Sequence, residues 1–161
     1  MKKRSSDIAK KAIIAALYAA LTVILLPYSF GGIQFRIAEM LLLLVFYKKS
    51  YTGPLIIGCI IANMFSPYGI IDVIFGTLAT SLSLYFIKKC KNIFIASLMP
   101  SIFNAIIIGL VIVFTSGMEP FFISFLSMAL GVFIGEVVVV TLLGVPVFKL
   151  LEKNEKFMEL L

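Results

Sequence analysis

The stretch GGIQFRIAEMLLLLVFYKKS, Gly31 to Ser50, sets a lone Arg36 ahead of an apolar run and the pair Lys48 and Lys49 directly behind it. Outward from this stretch, every other cation falls in phase with Lys48 and Lys49. Lys2, Lys3, Arg4, Lys10 and Lys11 precede it, and Lys88, Lys89 and Lys91, then Lys149, Lys153 and Lys156, follow it. Thirteen of the 14 Lys and Arg residues therefore punctuate every second apolar stretch. Cytoplasmic flanks of membrane proteins hold an excess of Lys and Arg, so an even number of spans with both termini cytoplasmic is the simple arrangement that satisfies all four clusters. Six spans fit, at about 8–26, 33–47, 53–66, 68–87, 93–114 and 121–148, in one membrane domain over 1–161. Arg36 alone falls on the outward side.

Composition agrees with this all-α, multi-pass arrangement. Of the 161 residues 61% are hydrophobic and 14% charged, with a mean hydropathy of +1.13, whereas soluble domains carry about 25% charged residues. The net charge of +6 needs no nucleic-acid partner, because the basic residues set topology and meet the anionic inner leaflet of the cell membrane. The basic start and apolar run of 1–26 look like a signal peptide, but the run spans about 20 residues without a cleavage-type ending, and it reads as a retained first helix. Two cysteines, Cys59 and Cys90, and no histidine leave a disulfide, a metal site or a cofactor without support.

Along the chain, Pro27, Gly31 and Gly32 close the first span and open an outward connection. The run Ile37 to Tyr47 has eleven residues, which at about 1.5 Å each cover half of a hydrocarbon core roughly 30 Å thick. The run Gly53 to Phe65 is similarly short. Ser66 and Pro67 have the look of an N-cap and first-turn pair. Pro100 lies inside the fifth span, and Ser116, Gly117 and Pro120 make the last outward turn. The sixth span reads as broken near Gly144 and Pro146, with Glu152 four residues before Lys156 in a cytoplasmic tail. Short segments beside long ones mark either a thinner part of a bundle or a cavity, because irregular backbone at membrane depth must be buried in protein or line one.

An ionisable side chain near the bilayer centre costs roughly 2.5 to 3.5 kcal/mol on insertion scales, so each asks for a partner or a task. Arg36 and Glu39 are three apart and can answer one another on one helix face. Asp72 sits about one turn into a helix, where the dipole favours a carboxylate. Glu136 has no cation near it in sequence. Gln34, Asn63, Ser97, Ser101 and Asn104 extend the polar set, and Tyr28, Phe30, Phe35, Tyr68 and Phe75 cluster beside it. On the first helix Ala9, Ala12, Ala16, Ala19 and Ala20, with Ala15 alongside, form a smooth stripe that lets another helix, internal or external, approach closely. Gly131 and Gly135 repeat that spacing, with internal packing the default reading.

The runs GGIQFRIAEMLLLL at Gly31 to Leu44 and GCIIANMFSPYGIIDVIFGTLAT at Gly58 to Thr80 resemble the QueT family, substrate-capture subunits of energy-coupling factor transporters. The resemblance implies a six-helix subunit that binds a queuosine precursor from outside. It also implies partners, namely a coupling membrane subunit, docked on the alanine stripe, and two ATPases. The chain has no GxxxxGK[ST] phosphate loop, so any ATP hydrolysis belongs to those partners. A 7-deazaguanine suits the polar set. Its adjacent N–H donors match a carboxylate, Glu39 or Asp72, and its carbonyl oxygen wants an amide or guanidinium donor from Gln34, Asn63, Asn104 or Arg36. Its flat face wants an aromatic ring, Phe35 or Phe75. An aminomethyl substituent would call for a second carboxylate, for which Glu136 is the candidate. The competing reading is a small proton-coupled secondary transporter or exporter using Glu136 and Asp72. A purely structural subunit would leave the polar outward end without a purpose. An intramembrane enzyme has neither a nucleophile beside a base nor metal-ligand spacing behind it.

Overall fold

The structure, a computed structural model, describes residues 2–155 and 157, with side chains from residue 5 onward. The side chains of Lys2, Lys3 and Arg4, and the expected pairing of Glu152 with Lys156, lie outside the described residues. Among the described residues eight α-helices follow one another: α1 Lys2–Ile24, α2 Leu26–Ser29, α3 Leu44–Tyr47, α4 Thr52–Asn63, α5 Ile70–Ile87, α6 Ile93–Ser116, α7 Phe121–Glu136 and α8 Val145–Glu152. A 3-10 helix, Ile37–Leu43, leads into α3, and a π-helical stretch, Val137–Gly144, joins α7 to α8. No strand occurs among the described residues.

Among the described residues, three helical runs are long and apolar enough to cross a membrane: Ile70–Ile87, Ile93–Ser116 and Phe121–Glu152. Chain neighbours pack as space neighbours. Helix α1 lies on α4, α4 on α5, α5 on α6 and α6 on α7, while the 3-10 segment inserts between α1 and the π stretch. Polar residues of α6 and α7 fall between two apolar levels. Ile93 and Ala96 of α6 join a core with Leu43, Leu55, Leu84, Val139 and Phe148, whereas Ile108 and Ile112 join a smaller one with Val132. Ser101 and Asn104 on α6, and Glu136 on α7, occupy the level between them, all buried.

The basic clusters meet at one end of this bundle. Asp7 bonds Lys11 at 2.7 Å and reaches Lys48 at 4.0 Å, and the Lys11 hydrogen bond holds the Asp7 carboxyl below its ordinary range. Lys149 lies 4.4 Å from the Phe94 ring centroid, next to the Lys88–Lys91 corner, and the Tyr47 hydroxyl donates to Glu152 at 3.3 Å.

Several local expectations change. Ser66 and Pro67 do not start α5, because Ser66 Oγ accepts from the Tyr68 amide at 3.2 Å and closes a turn. The helix begins at Ile70, after Gly69 with φ of 62°, a left-handed backbone that a glycine supplies without strain. The second apolar run starts as a 3-10 helix, whose rise of about 2.0 Å per residue stretches a short segment further than an α-helix would. The last long helix is continuous to Glu152 rather than broken at Gly144 and Pro146. Its wide π turns precede Pro146, whose ring in an α-helix would strike the carbonyl four residues back.

Helix α1 approaches α4 through Gly58. A Cβ there would meet the Ala15 carbonyl oxygen at 2.6 Å and Tyr18 Cβ at 3.0 Å. Overpacking of this kind costs about 1–3 kcal/mol. Gly58→Ala is therefore expected to lower thermal stability in detergent, and an unchanged melting temperature would show that α1 shifts freely on α4. Ala15 and Ala19 face inward, whereas Ala9, Ala12, Ala16 and Ala20 are exposed.

Candidate functional site

An irregular strap, residues 30–36, joins α2 to the 3-10 helix and lies across α7. It can lie so close because α7 carries glycine where the backbones touch. A Cβ on Gly135 would collide with the carbonyl oxygen of Gln34, and one on Gly131 with that of Gly32. The glycine pair thus seats an irregular segment rather than another helix. The strap is tied down elsewhere by the Phe35 amide donating to the Tyr28 carbonyl at 2.9 Å and by the Tyr68 hydroxyl donating to the Phe30 carbonyl at 3.4 Å. Below it, Ser29 donates to the Leu25 and Thr22 carbonyls at 2.9 and 3.1 Å.

Beneath the strap lies a level of fully buried polar groups. The Tyr18 hydroxyl on α1 donates to Glu39 Oε1 on the 3-10 helix, and Arg36 Nη1 stands 3.8 Å from the same oxygen. The guanidinium of Arg36 also packs 4.8 Å from the centroid of Phe30 and donates through Nε to the Ser29 carbonyl at 3.4 Å. From α6, Asn104 Nδ2 donates to Glu136 Oε1 on α7 at 2.9 Å. On the α4 and α5 side, Asn63 Nδ2 donates to Cys59 Sγ, and the Cys59 thiol donates to Thr80 Oγ1, both at 3.3 Å. Asn63 and Asp72 converge on Gly76, where a Cβ would stand 2.7 Å from Asn63 Nδ2 and 3.0 Å from Asp72 Oδ1. Arg36 feels the charges of both Glu39 and Asp72, and Glu136 feels those of Glu39 and Arg36, so the four ionisable groups share one electrostatic neighbourhood.

Side chains from α1, the strap, the 3-10 helix, α4, α5, α6 and α7 thus meet, and Gln34, Arg36, Glu39, Asn63, Asp72, Asn104 and Glu136 are each no more than 1% exposed. Buried polar atoms are nearly always hydrogen-bonded in folded proteins. Here each of these seven residues keeps at least one buried polar atom without a hydrogen-bond partner: both ends of the Gln34 amide, both Nη atoms of Arg36, Glu39 Oε2, Asn63 Oδ1, both Asp72 oxygens, Asn104 Oδ1 and Glu136 Oε2. The set holds both free donors and free acceptors.

Phe35 and Phe75 stand apart from it, at 37% and 43% exposed. Phe75 lines an apolar groove of about 520 Å³ with Leu78, Leu110 and Phe114 on the flank of the bundle, a surface without the donors and acceptors a nucleobase needs. Phe30, 4% exposed, is the aromatic side chain of the strap that turns inward. Tyr18 belongs to the same level, although the sequence reading did not single it out. Its signal was a polar-tipped aromatic in an otherwise apolar helix, with Thr22 one turn further on the same face; the Thr22 hydroxyl donates to the Tyr18 carbonyl at 3.0 Å.

A family model described as QueT transporter matches residues 8–153 of the chain. Among curated proteins, the queuosine precursor transporter QueT of Lactococcus lactis subsp. cremoris (strain MG1363) is 44% identical over 81 residues, a match covering 49% of this chain and 47% of that protein. The aligned part therefore spans about half the length of this relative. No solved structure matches the chain.

Proposed function

The chain belongs to the QueT transporter family and is a membrane transport protein rather than an enzyme, and from that premise we propose that it captures a queuosine precursor of the 7-deazaguanine class in the polar level beneath the strap. The convergence of unpartnered buried donors and acceptors from separate elements carries this reading. A purine-like edge presents adjacent N–H donors and a carbonyl oxygen, and Asp72 and Glu39 Oε2 complement the donors as the Nη atoms of Arg36 and the Gln34 amide complement the carbonyl. Phe30, inward beside Arg36, is the ring that stacks on the base, in place of Phe35 or Phe75. The strap closes over the ligand and must lift to admit it.

In this reading six segments cross the plasma membrane with both tails cytoplasmic. The meeting of the Lys11, Lys48 and Lys149 regions at one end of the bundle supports that sidedness. The ligand enters from the opposite, strap side. Transport is driven by an energy-coupling factor module of one coupling membrane subunit and two ATPases, gripping the exposed alanines Ala9, Ala12, Ala16 and Ala20 of α1; Ala19, turned inward, serves the packing of α1 instead.

A host unable to make queuosine, fed each precursor, tests this through the queuosine content of its tRNA. The chain with its energising module is expected to restore the modification, and the chain alone is not. Bulk on the α1 face, as in Ala12→Leu with Ala16→Leu, is expected to leave ligand binding intact while cutting uptake by about tenfold, because two backbones that met across alanines no longer approach. Restoration by the chain alone, driven by the proton gradient, would favour the secondary-transporter reading. Equal uptake with the leucine pair would move the docking surface away from α1.

A further inference from the structure

The buried level has more anionic than cationic groups. Among the described residues it holds Glu39, Asp72 and Glu136 against Arg36, all fully buried. Glu39 takes the Arg36 charge at 3.8 Å and the Tyr18 hydroxyl besides. Asp72 lies in the first turn of α5, where the helix dipole offers partial positive charge. Glu136 forms no ion pair among the described residues and ends α7 rather than starting a helix, so the Arg36 charge reaches it only from a distance. Its Oε1 accepts from the neutral Asn104 amide at 2.9 Å, and its Oε2 has no partner although wholly enclosed. A carboxylate removed from water needs either a cation or a proton, because neutral donors replace only part of its lost hydration.

Resting on the capture reading above, we infer that Glu136 selects a ligand bearing a protonated amine over the same 7-deazaguanine carrying an uncharged substituent. The amine approaches Glu136 Oε2, the unpartnered oxygen, while Asn104 holds Oε1 and so fixes the carboxylate plane. Arg36 and Glu39 are left to the base. Asp72, placed with the donor edge of the base, is left to it as well. A nitrile in the same place would leave Glu136 Oε2 facing a negative dipole end instead of a donor, so discrimination comes from repulsion as well as attraction.

Competitive equilibrium binding of aminomethyl-7-deazaguanine and cyano-7-deazaguanine to the purified full chain in detergent tests this. The aminomethyl compound is expected to bind at least about tenfold more tightly, as a charge-assisted hydrogen bond in a closed site exceeds a neutral one. In Glu136→Gln, which keeps the shape and an oxygen for Asn104, the two affinities are expected to converge. Asp72→Asn is expected to narrow the ratio less. Equal affinities in the natural chain, or a ratio untouched by Glu136→Gln, would overturn the inference while leaving capture of a deazaguanine standing. Failure of both compounds to bind would instead remove the capture reading, and this inference with it.

Discussion

Arg36→Met is expected to destabilise the folded chain by about 3–5 kcal/mol and to abolish ligand binding, since it strands a buried carboxylate without its cation. The position decides the size of the effect. Arg36 and Glu39 are both fully enclosed, the guanidinium also packs on Phe30 and its Nε donates to the Ser29 carbonyl, so neither charge can turn to water when the other is lost. Glu39→Met is expected to cost a similar amount, with the Tyr18 hydroxyl losing its acceptor as well. The two losses should not add. In the Arg36→Met/Glu39→Met double variant no charge of the pair remains to be desolvated, and stability is expected to return part of the way while binding stays absent. Thermal denaturation in detergent and ligand binding, measured on all four proteins, complete the cycle. Additive losses would mean that Arg36 and Glu39 do not act as a pair.

Gly135→Ala is the second large effect, expected to weaken ligand binding about five- to hundredfold, as follows from an overpacking strain of about 1–3 kcal/mol borne by the closed strap. The added Cβ runs into the Gln34 carbonyl oxygen, and it would also stand 2.8 Å from the Gln34 carbonyl carbon and 3.0 Å from its nitrogen. Backbone, unlike the far end of a flexible side chain, cannot step aside alone. The strap has to rise, and it takes the Gln34 amide and the Arg36 guanidinium out of register with Glu39. Gly53→Ala serves as the control, because a Cβ there meets nothing within 4 Å, and its affinity should stay at the natural value. Equal affinities in both variants would show that the strap need not seat on α7 for the ligand to bind.

The two variants also show where sequence reading stops. Arg36 and Glu39 could be paired from their spacing alone, because residues three apart share one face of any helical segment. That Glu136 requires a partner was equally legible, since an acidic residue deep in an apolar span has no local means of satisfaction. That the partner is Asn104, thirty-two positions earlier, was not, because it depends on how α6 and α7 are rotated against each other. Gly131 and Gly135 read as an internal-packing pair, and the neighbour they receive is the strap; the spacing says only that a close neighbour exists. Phe35 and Phe75 read as stacking residues because they flank polar positions. Alternation in an irregular strap and rotation in α5 turn both outward, while Phe30, five positions before Phe35 and six before Arg36, turns in.

Apolar spans, their basic punctuation and the ionisable residues that lipid would not tolerate unaided were fixed by composition and order along the chain, because the cost of placing charge in hydrocarbon depends on residue type and depth alone. Tertiary structure decided which of those residues meet, which aromatic faces them and that the Gly131 and Gly135 face of α7 bears a strap. These follow from the rotation of each helix about its axis and the path of the segments between helices. Both are set by side-chain packing between elements far apart in sequence, which no local pattern encodes.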